Sequence, residues 1–196
     1  ISIGLVGSEM CIRDRSIPEF SLSLEVTHHG PILNVPSLFI EVGSTESYWP
    51  HEDAAKLLAE VMIDGLGLQG NSSIGAWNSD HKGEFVLITI GGGHYAPKAN
   101  KLALLPNVWL GHMLANHSLP FGTQEEPSQL WKQSIDAAIQ STRVAYPSGR
   151  IVCNVEKKSF KGWQRQLLRQ YLSDRGIDVV RSDAFLEMVK GCHEEP

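Results

Sequence analysis

Apolar, strand-like runs that end in histidine or carboxylate, separated by helix-like segments, constrain this chain's fold more than any other feature. Three runs close on histidine: Leu24-Glu25-Val26-Thr27-His28-His29-Gly30-Pro31, Val86-Leu87-Ile88-Thr89-Ile90-Gly91-Gly92-Gly93-His94-Tyr95 and Val108-Trp109-Leu110-Gly111-His112. A fourth, Leu38-Phe39-Ile40-Glu41-Val42-Gly43-Ser44-Thr45-Glu46, closes on carboxylates. Residues 20–27 place Phe20, Leu22, Leu24 and Val26 at a period of two, the signature of a strand. Residues 37–42 read as a second, buried strand, 84–90 as a third and 109–114 as a fourth, with shorter ones at 151–155 and 177–180.

The intervening segments have helical period. In residues 50–66, Pro50 suits a first turn, and Glu52 and Asp53 suit the positive end of the helix dipole. Ala54, Leu57, Leu58, Val61 and Met62 form one face, and Gly65 and Gly67 stop it. Residues 128–143 turn Leu130, Ile135, Ala138 and Ile139 inward, and 159–175 read as a further helix. This alternation predicts an α/β fold: a three-layer sandwich around a mixed, largely parallel sheet. Ligands of such sheets bind beyond the carboxyl ends of the strands. Histidines and carboxylates delivered there by separate strands are expected to converge on one site that binds a metal or moves protons.

The 196 residues suffice for one domain with a real core. A net charge of −5 excludes a protein that coats nucleic acid with its whole surface, though not a local basic patch. No apolar run reaches the ~18 residues of a membrane span. Cys11, Cys153 and Cys192 are far apart and form no CxxC pair, which points to a reducing compartment without a disulfide framework. Residues 1–15 contain Val6-Gly7-Ser8-Glu9-Met10-Cys11-Ile12-Arg13-Asp14-Arg15, which looks like translated adapter read-through. We read 1–15 as non-native and 16–196 as a single domain that lacks an N-terminal portion.

Within the motifs, the tandem histidines His28 and His29 would face opposite sides of a continuing strand. Gly30-Pro31 ends the strand and lets the second turn into the crevice. The glycines before His94 let backbone N–H groups approach a substrate, as in an oxyanion or phosphate nest. Glu41, inside an apolar run, should be paired, metal-bound or a general base. Gly43-Ser44-Thr45 offers N–H groups and hydroxyls to an anion. The glycine run before His94 is not a dinucleotide fingerprint, because it lacks GxGxxG and no acidic residue is placed for a ribose; HExxH and a serine or cysteine nucleophile elbow are absent from the sequence. His117 opens a polar loop, and His51, His81 and His193 read as surface residues.

Lys157, Lys158, Lys161, Arg165 and Arg169 form a late basic cluster with Phe160 and Trp163 among them. It is either a grip for RNA backbone with a base-stacking ring, or a solvated helix face over a buried aromatic. Lys98 and Lys101 would extend its rim.

Four motifs occur in order: Thr27-His28-His29-Gly30-Pro31; Phe39 to Glu46 with Trp49; Gly91-Gly92-Gly93-His94-Tyr95-Ala96-Pro97-Lys98; and Gly111-His112. Together, from about Phe20 to about Val180, they resemble the archaeal and plant (GEK-type) D-aminoacyl-tRNA deacylases. The resemblance implies hydrolysis of the ester that joins a D-amino acid to tRNA, a step of translation quality control. The partner implied is D-aminoacyl-tRNA, with neither DNA nor membrane, for a cytoplasmic, monomeric protein. It implies His28, His29, His94 and Glu41 as catalytic residues. Gly43, Ser44, Thr45, Gly92, Gly93, Lys98, Lys158 and Arg165 would bind substrate. Zinc would be the cofactor, with His28, His94, His112 and Glu41 as ligands. A metal-free route, with a histidine as general base and assistance from the tRNA, stays open. The rival readings are a zinc-dependent amidohydrolase or peptidase and a non-enzymatic RNA-binding module.

Overall fold

The computed structural model describes residues 17, 19–21, 23–26, 40–43, 45–70 and 76–191. The chain groups into two compact units. One comprises Ile1–Leu22 and Ile32–Asn78, the other Ser23–Pro31 and Ser79–Pro196.

Among the described residues of the first unit lie helix α1 (Glu52–Gly65) and the turn before it. His51 caps the helix: its Nδ1 accepts from the Ala54 N–H at 3.2 Å. The other ring nitrogen, Nε2, lies 3.1 Å from Glu19 Oε1, and the Phe20 ring packs edge-on against His51 and Tyr48. His51 is thus a structural cap that orders the helix start, where the sequence suggests only a surface residue. The acidic pair Glu52 and Asp53 occupies the first turn as expected.

The second unit is built on a sheet of strands β1 (Phe85–Ile90), β2 (Val108–Leu114), β3 (Arg150–Val155) and β4 (Asp178–Val180). They lie in the order β2-β1-β3-β4, and every pairing is parallel. Helices α2 (Pro97–Ala103), α3 (Leu130–Ala145), α4 (Gly162–Ser173) and α5 (Ser182–Gly191) complete it. All six residues of β1 are buried, as a central strand covered on both faces requires. Alternate residues serve alternate layers. Ile88, Ile90, Cys153 and Leu114 pack with Trp131, Ile135 and Ile139 of α3 and with Leu168 and Leu172 of α4. Phe85, Leu87, Val108 and Val152 pack with Leu102 of α2 and with Phe185 and Val189 of α5. This is the three-layer α/β arrangement that the alternation predicts. Truncating a fully buried member such as Leu168 would cost about 2–5 kcal/mol.

Strand β2 contains a bulge. Leu87 pairs with Leu110 but Ile88 with His112, so Gly111 is the extra residue. The inserted residue moves every later side chain of β2 to the opposite face. His112 therefore shares the face of Ile88 and meets α3. A Cβ on Gly111 would lie 2.7 Å from Thr142 Oγ1 and 2.8 Å from its Cγ2, so α3 approaches too closely for any other residue.

Two strand expectations differ from the structure. The described residues of 20–27 pair in no ladder, although Leu24 and Val26 are buried with the predicted alternation. Their hydrogen bonds go elsewhere: the Leu24 backbone to the Asn100 side chain, and the Val26 N–H to the His94 carbonyl at 3.0 Å. Residues 40–42 also form no strand, and the rest of 37–42 lies outside the described residues. The helix expected over 159–175 starts later, at Gly162, after a 3-10 turn at Lys157–Ser159. The Gln164 side chain fixes that start by accepting from the Lys161 N–H at 2.7 Å. Helix α2 begins with Pro97 in its first turn, a signal present but unread in the sequence.

Candidate active site

The site grows from the carboxyl end of β1. Past Ile90 the chain turns through Gly91 and Gly92 at φ of 104° and 90°, a region that disfavours side chains. A Cβ on Gly91 would also sit 2.9 Å from both the Phe160 ring and Ser159 Cβ. Their N–H groups are engaged: Gly91 donates to the Leu114 carbonyl at 2.7 Å, and Gly92 to Ser159 Oγ at 2.7 Å. Gly93 is exposed, and its N–H has no partner among the described residues. Of the two glycines expected to bind substrate, Gly93 is therefore the one whose N–H is available to an oxyanion.

His94 stands at the exposed tip of this turn, with Nε2 3.0 Å from Glu25 Oε2. Its ring meets Tyr95 edge-on at 4.9 Å. The segment carrying Glu25 is held against the turn by the Val26 to His94 backbone bond and by Asn100. The Asn100 Nδ2 donates to the carbonyls of Leu24 (3.1 Å) and Tyr95 (2.6 Å). The structure thus brings the approach to the Thr27-His28-His29-Gly30-Pro31 motif onto the glycine-histidine turn. His28, His29 and Ser44 themselves lie outside the described residues.

The other expected residues are placed as follows. His112 lies within β2 on the helix-covered face, and its Nε2 is 2.7 Å from Ser141 Oγ of α3. Burial holds its pKa below the usual imidazole range. The bulge turns it toward α3, and its side-chain partner there is Ser141. Glu41 is exposed and in no strand, contrary to the expected buried carboxylate. Gly43 and Thr45 are exposed too, with Thr45 Oγ1 2.9 Å from Ser47 Oγ. These three belong to the first unit.

Lys98 is exposed and pairs with Glu156 at 3.1 Å. Lys157, Lys158, Lys161 and Arg169 are exposed. Arg165 is half-buried and donates to the carbonyls of Phe160 (2.5 Å) and Lys157 (3.1 Å), which makes it a fastener of the 3-10 turn. Phe160 is buried and Trp163 packs against the core, so neither ring is presented for base stacking. The solvated-face reading holds for the aromatics, while the lysines remain an open basic surface. Beside them a shallow polar groove on α4 is lined by Gly162, Arg165, Gln166, Arg169, Gln170 and Ser173. Cys153 is fully buried, and burial pushes its thiol pKa up, so it is no nucleophile.

Among the described residues no three His, Cys, Asp or Glu side chains gather as a metal site. His94 and Glu25 supply two side chains of the kinds that ligate catalytic zinc, which takes three from the protein. His28, one of the ligands that the resemblance implies, lies outside the described residues, and zinc is taken up below as a proposal. Among them no helix is long and apolar enough to cross a membrane.

Four site residues were missed in the sequence: Glu25, Asn100, Glu156 and Ser159. Glu156 had a readable signal, because it follows β3 immediately and so lies at a strand's carboxyl end like His94. Asn100 and Ser159 offered none.

The family model of D-aminoacyl-tRNA deacylases matches residues 5–180. The chain belongs to this family. A D-aminoacyl-tRNA deacylase of Arabidopsis thaliana is 42% identical over 181 residues, covering 86% of this chain and 56% of the relative. The deacylase of Thermococcus kodakarensis is 32% identical over 163 residues, covering 83% and 52%. The chain spans about half the length of these curated relatives. A crystal structure of a conserved protein of unknown function superimposes with a TM-score of 0.66 at 25% identity, covering 93% of this chain and 57% of the other. Measured against this deacylase family, the glycine-histidine turn at β1 is the described part of the expected motif set that is assembled.

Proposed function

We propose that this chain hydrolyses the ester between a D-amino acid and the 3′ end of tRNA, and that His94 is its general base. The observation that carries the reading is the His94–Glu25 pair, 3.0 Å apart, on an exposed glycine turn at the carboxyl end of β1. Water attacks the ester carbonyl carbon while His94 takes its proton. Glu25 steadies the resulting imidazolium through Nε2, as an orienting carboxylate does for other catalytic histidines. The Gly93 N–H donates to the tetrahedral oxyanion. Collapse of the intermediate breaks the bond to the ribose oxygen, which recovers the proton from His94. The products are the free D-amino acid and tRNA.

The tandem histidines His28 and His29 follow Val26 by two and three residues in sequence and belong to this proposal as further catalytic groups. Zinc enters no step above, and metal analysis of the purified protein tests that expectation. The phosphate backbone of the tRNA would lie along Lys157, Lys158, Lys161 and Arg169, next to the turn that touches Gly92. A cytoplasmic location belongs to the same proposal and is supported by the tRNA substrate it invokes. The test is release of amino acid from D- and L-aminoacyl-tRNA, with and without chelator, by the wild type and H94A. Release of the D-amino acid, lost in H94A, supports the proposal; equal rates on both enantiomers or an unchanged H94A sink it.

A further inference from the structure

The turn after β3 is fastened to the turn after β1 by a chain of polar contacts that the mechanism above does not use. Gly92 N–H donates to Ser159 Oγ at 2.7 Å, Ser159 O–H donates to Glu156 Oε2 at 2.8 Å, and Lys98 Nζ lies 3.1 Å from Glu156 Oε1. Backbone bonds lock the same corner: Glu156 N–H to the Ile90 carbonyl at 2.8 Å, and Ser159 N–H to the Glu156 carbonyl at 3.1 Å. Three elements meet here: the end of β1, the first turn of α2 and the 3-10 turn after β3. Glu156 is mostly buried at 22% exposure, whereas Lys98 is 57% exposed.

A glycine turn is soft, since glycine adopts many backbone conformations with little preference among them. An oxyanion donor contributes to rate only when it is aimed before the reaction begins. Three consecutive glycines would defeat that aim unless something outside them fixed the chain. The Gly92 N–H is the handle, and Ser159 holds it.

We propose that Ser159 and Glu156 are positioning residues of the deacylase site. Ser159 pins Gly92, and so fixes the direction of the adjacent Gly93 N–H and of His94. Glu156 orients the Ser159 hydroxyl as a donor, so that its lone pair faces Gly92, and Lys98 holds the carboxylate in place. The inference rests on the proposed hydrolysis at this turn. It adds residues on β3's turn to a site otherwise built from β1 and the segment bearing Glu25.

The test compares S159A, S159T, E156Q and E156A with the wild type in two measurements. The first is steady-state hydrolysis of D-aminoacyl-tRNA. S159A should lower kcat about tenfold, the rate equivalent of one hydrogen bond, with KM little changed. S159T, which keeps the hydroxyl, should recover most of it, and E156Q should retain more activity than E156A. The second is amide exchange. The Gly92 N–H should exchange faster in S159A while the amides of β1 keep their protection. Wild-type kcat in S159A, or a Gly92 amide indifferent to the loss of the hydroxyl, overturns the inference. If the wild type itself fails to hydrolyse the ester, the hydrolysis reading has failed, and exchange at Gly92 still decides whether Ser159 holds the turn.

Discussion

Asn100 satisfies both backbone polar groups of Leu24 with a single side-chain amide. Its Oδ1 accepts from the Leu24 N–H at 2.6 Å, and its Nδ2 donates to the Leu24 carbonyl at 3.1 Å. The same Nδ2 donates to the Tyr95 carbonyl at 2.6 Å. One residue of α2 thus replaces a missing strand partner and couples two sequence motifs. N100A should lower the unfolding free energy by about 2–3 kcal/mol, because a buried segment loses partners for its N–H and carbonyl. N100D should be no better, since it places a carboxylate against carbonyl oxygens. Urea denaturation measures both, and a loss below about 0.5 kcal/mol in N100A would show that solvent replaces the amide.

Gly111 and Thr142 give a second prediction. G111A must push Thr142 or its helix away and should cost about 1–3 kcal/mol. Shortening the neighbour should relieve it. In G111A/T142A the combined loss should be smaller than the sum of the single losses, because the atoms nearest the new methyl are gone. Additive losses in a thermal melt would place the strain elsewhere.

How much of this was legible in the sequence follows from these contacts. The sheet was, because a buried parallel strand such as 85–90 announces itself by an unbroken apolar run, and the glycines that end it are fixed by local conformation. The position of His94 at a strand's carboxyl end follows from the same pattern. His112 did not follow, because the bulge at Gly111 lies against Thr142, a residue of another element that sequence spacing does not connect to it. The segment 20–27 has strand periodicity and strand-like burial without a strand's ladder, since periodicity reports which side chains are buried and not who accepts the hydrogen bonds. Glu25 and Asn100 act through partners distant in sequence.

His112 makes stability depend on pH. Burial holds its folded pKa below the ordinary value of 6.5, so the unfolded chain binds its proton more readily. Stability from this group is complete above pH 6.5 and falls as the pH drops from there toward the folded pKa. Melting temperatures measured from pH 7.5 down to 5 should fall less steeply in H112Q than in the wild type. Parallel curves would mean that the imidazole takes its proton without loss of packing against Ser141.

His94 and His117 separate a catalytic histidine from a surface one. Both are exposed, but His94 holds Glu25 at 3.0 Å on the glycine turn, whereas His117 belongs to a 3-10 turn after β2. H94A should reduce deacylation by about 10²–10⁴-fold, the usual size of a general acid–base contribution. E25Q should fall in the same direction by less, and H117A should stay near the wild type. Equal small effects of H94A and H117A would take His94 out of the mechanism.

The basic cluster divides by geometry into residues that face solvent and one that faces the protein. Lys157 and Lys158 are exposed on the 3-10 turn that carries Ser159. Arg165 turns its guanidinium back onto the Phe160 and Lys157 carbonyls. Reversing the lysines should therefore weaken tRNA binding without altering the melt, whereas R165A should lower the melting temperature, because it leaves those carbonyls unsatisfied. Removing one lysine–phosphate pair should also flatten the dependence of log affinity on log salt by roughly 0.7–0.9. K157E/K158E is then expected to bind tRNA more weakly at low salt and to approach the wild type as salt rises. This convergence distinguishes a phosphate track from a general loss of fold, which would weaken binding at every salt concentration. An affinity indifferent both to the double substitution and to salt would mean that the tRNA takes another face of the protein.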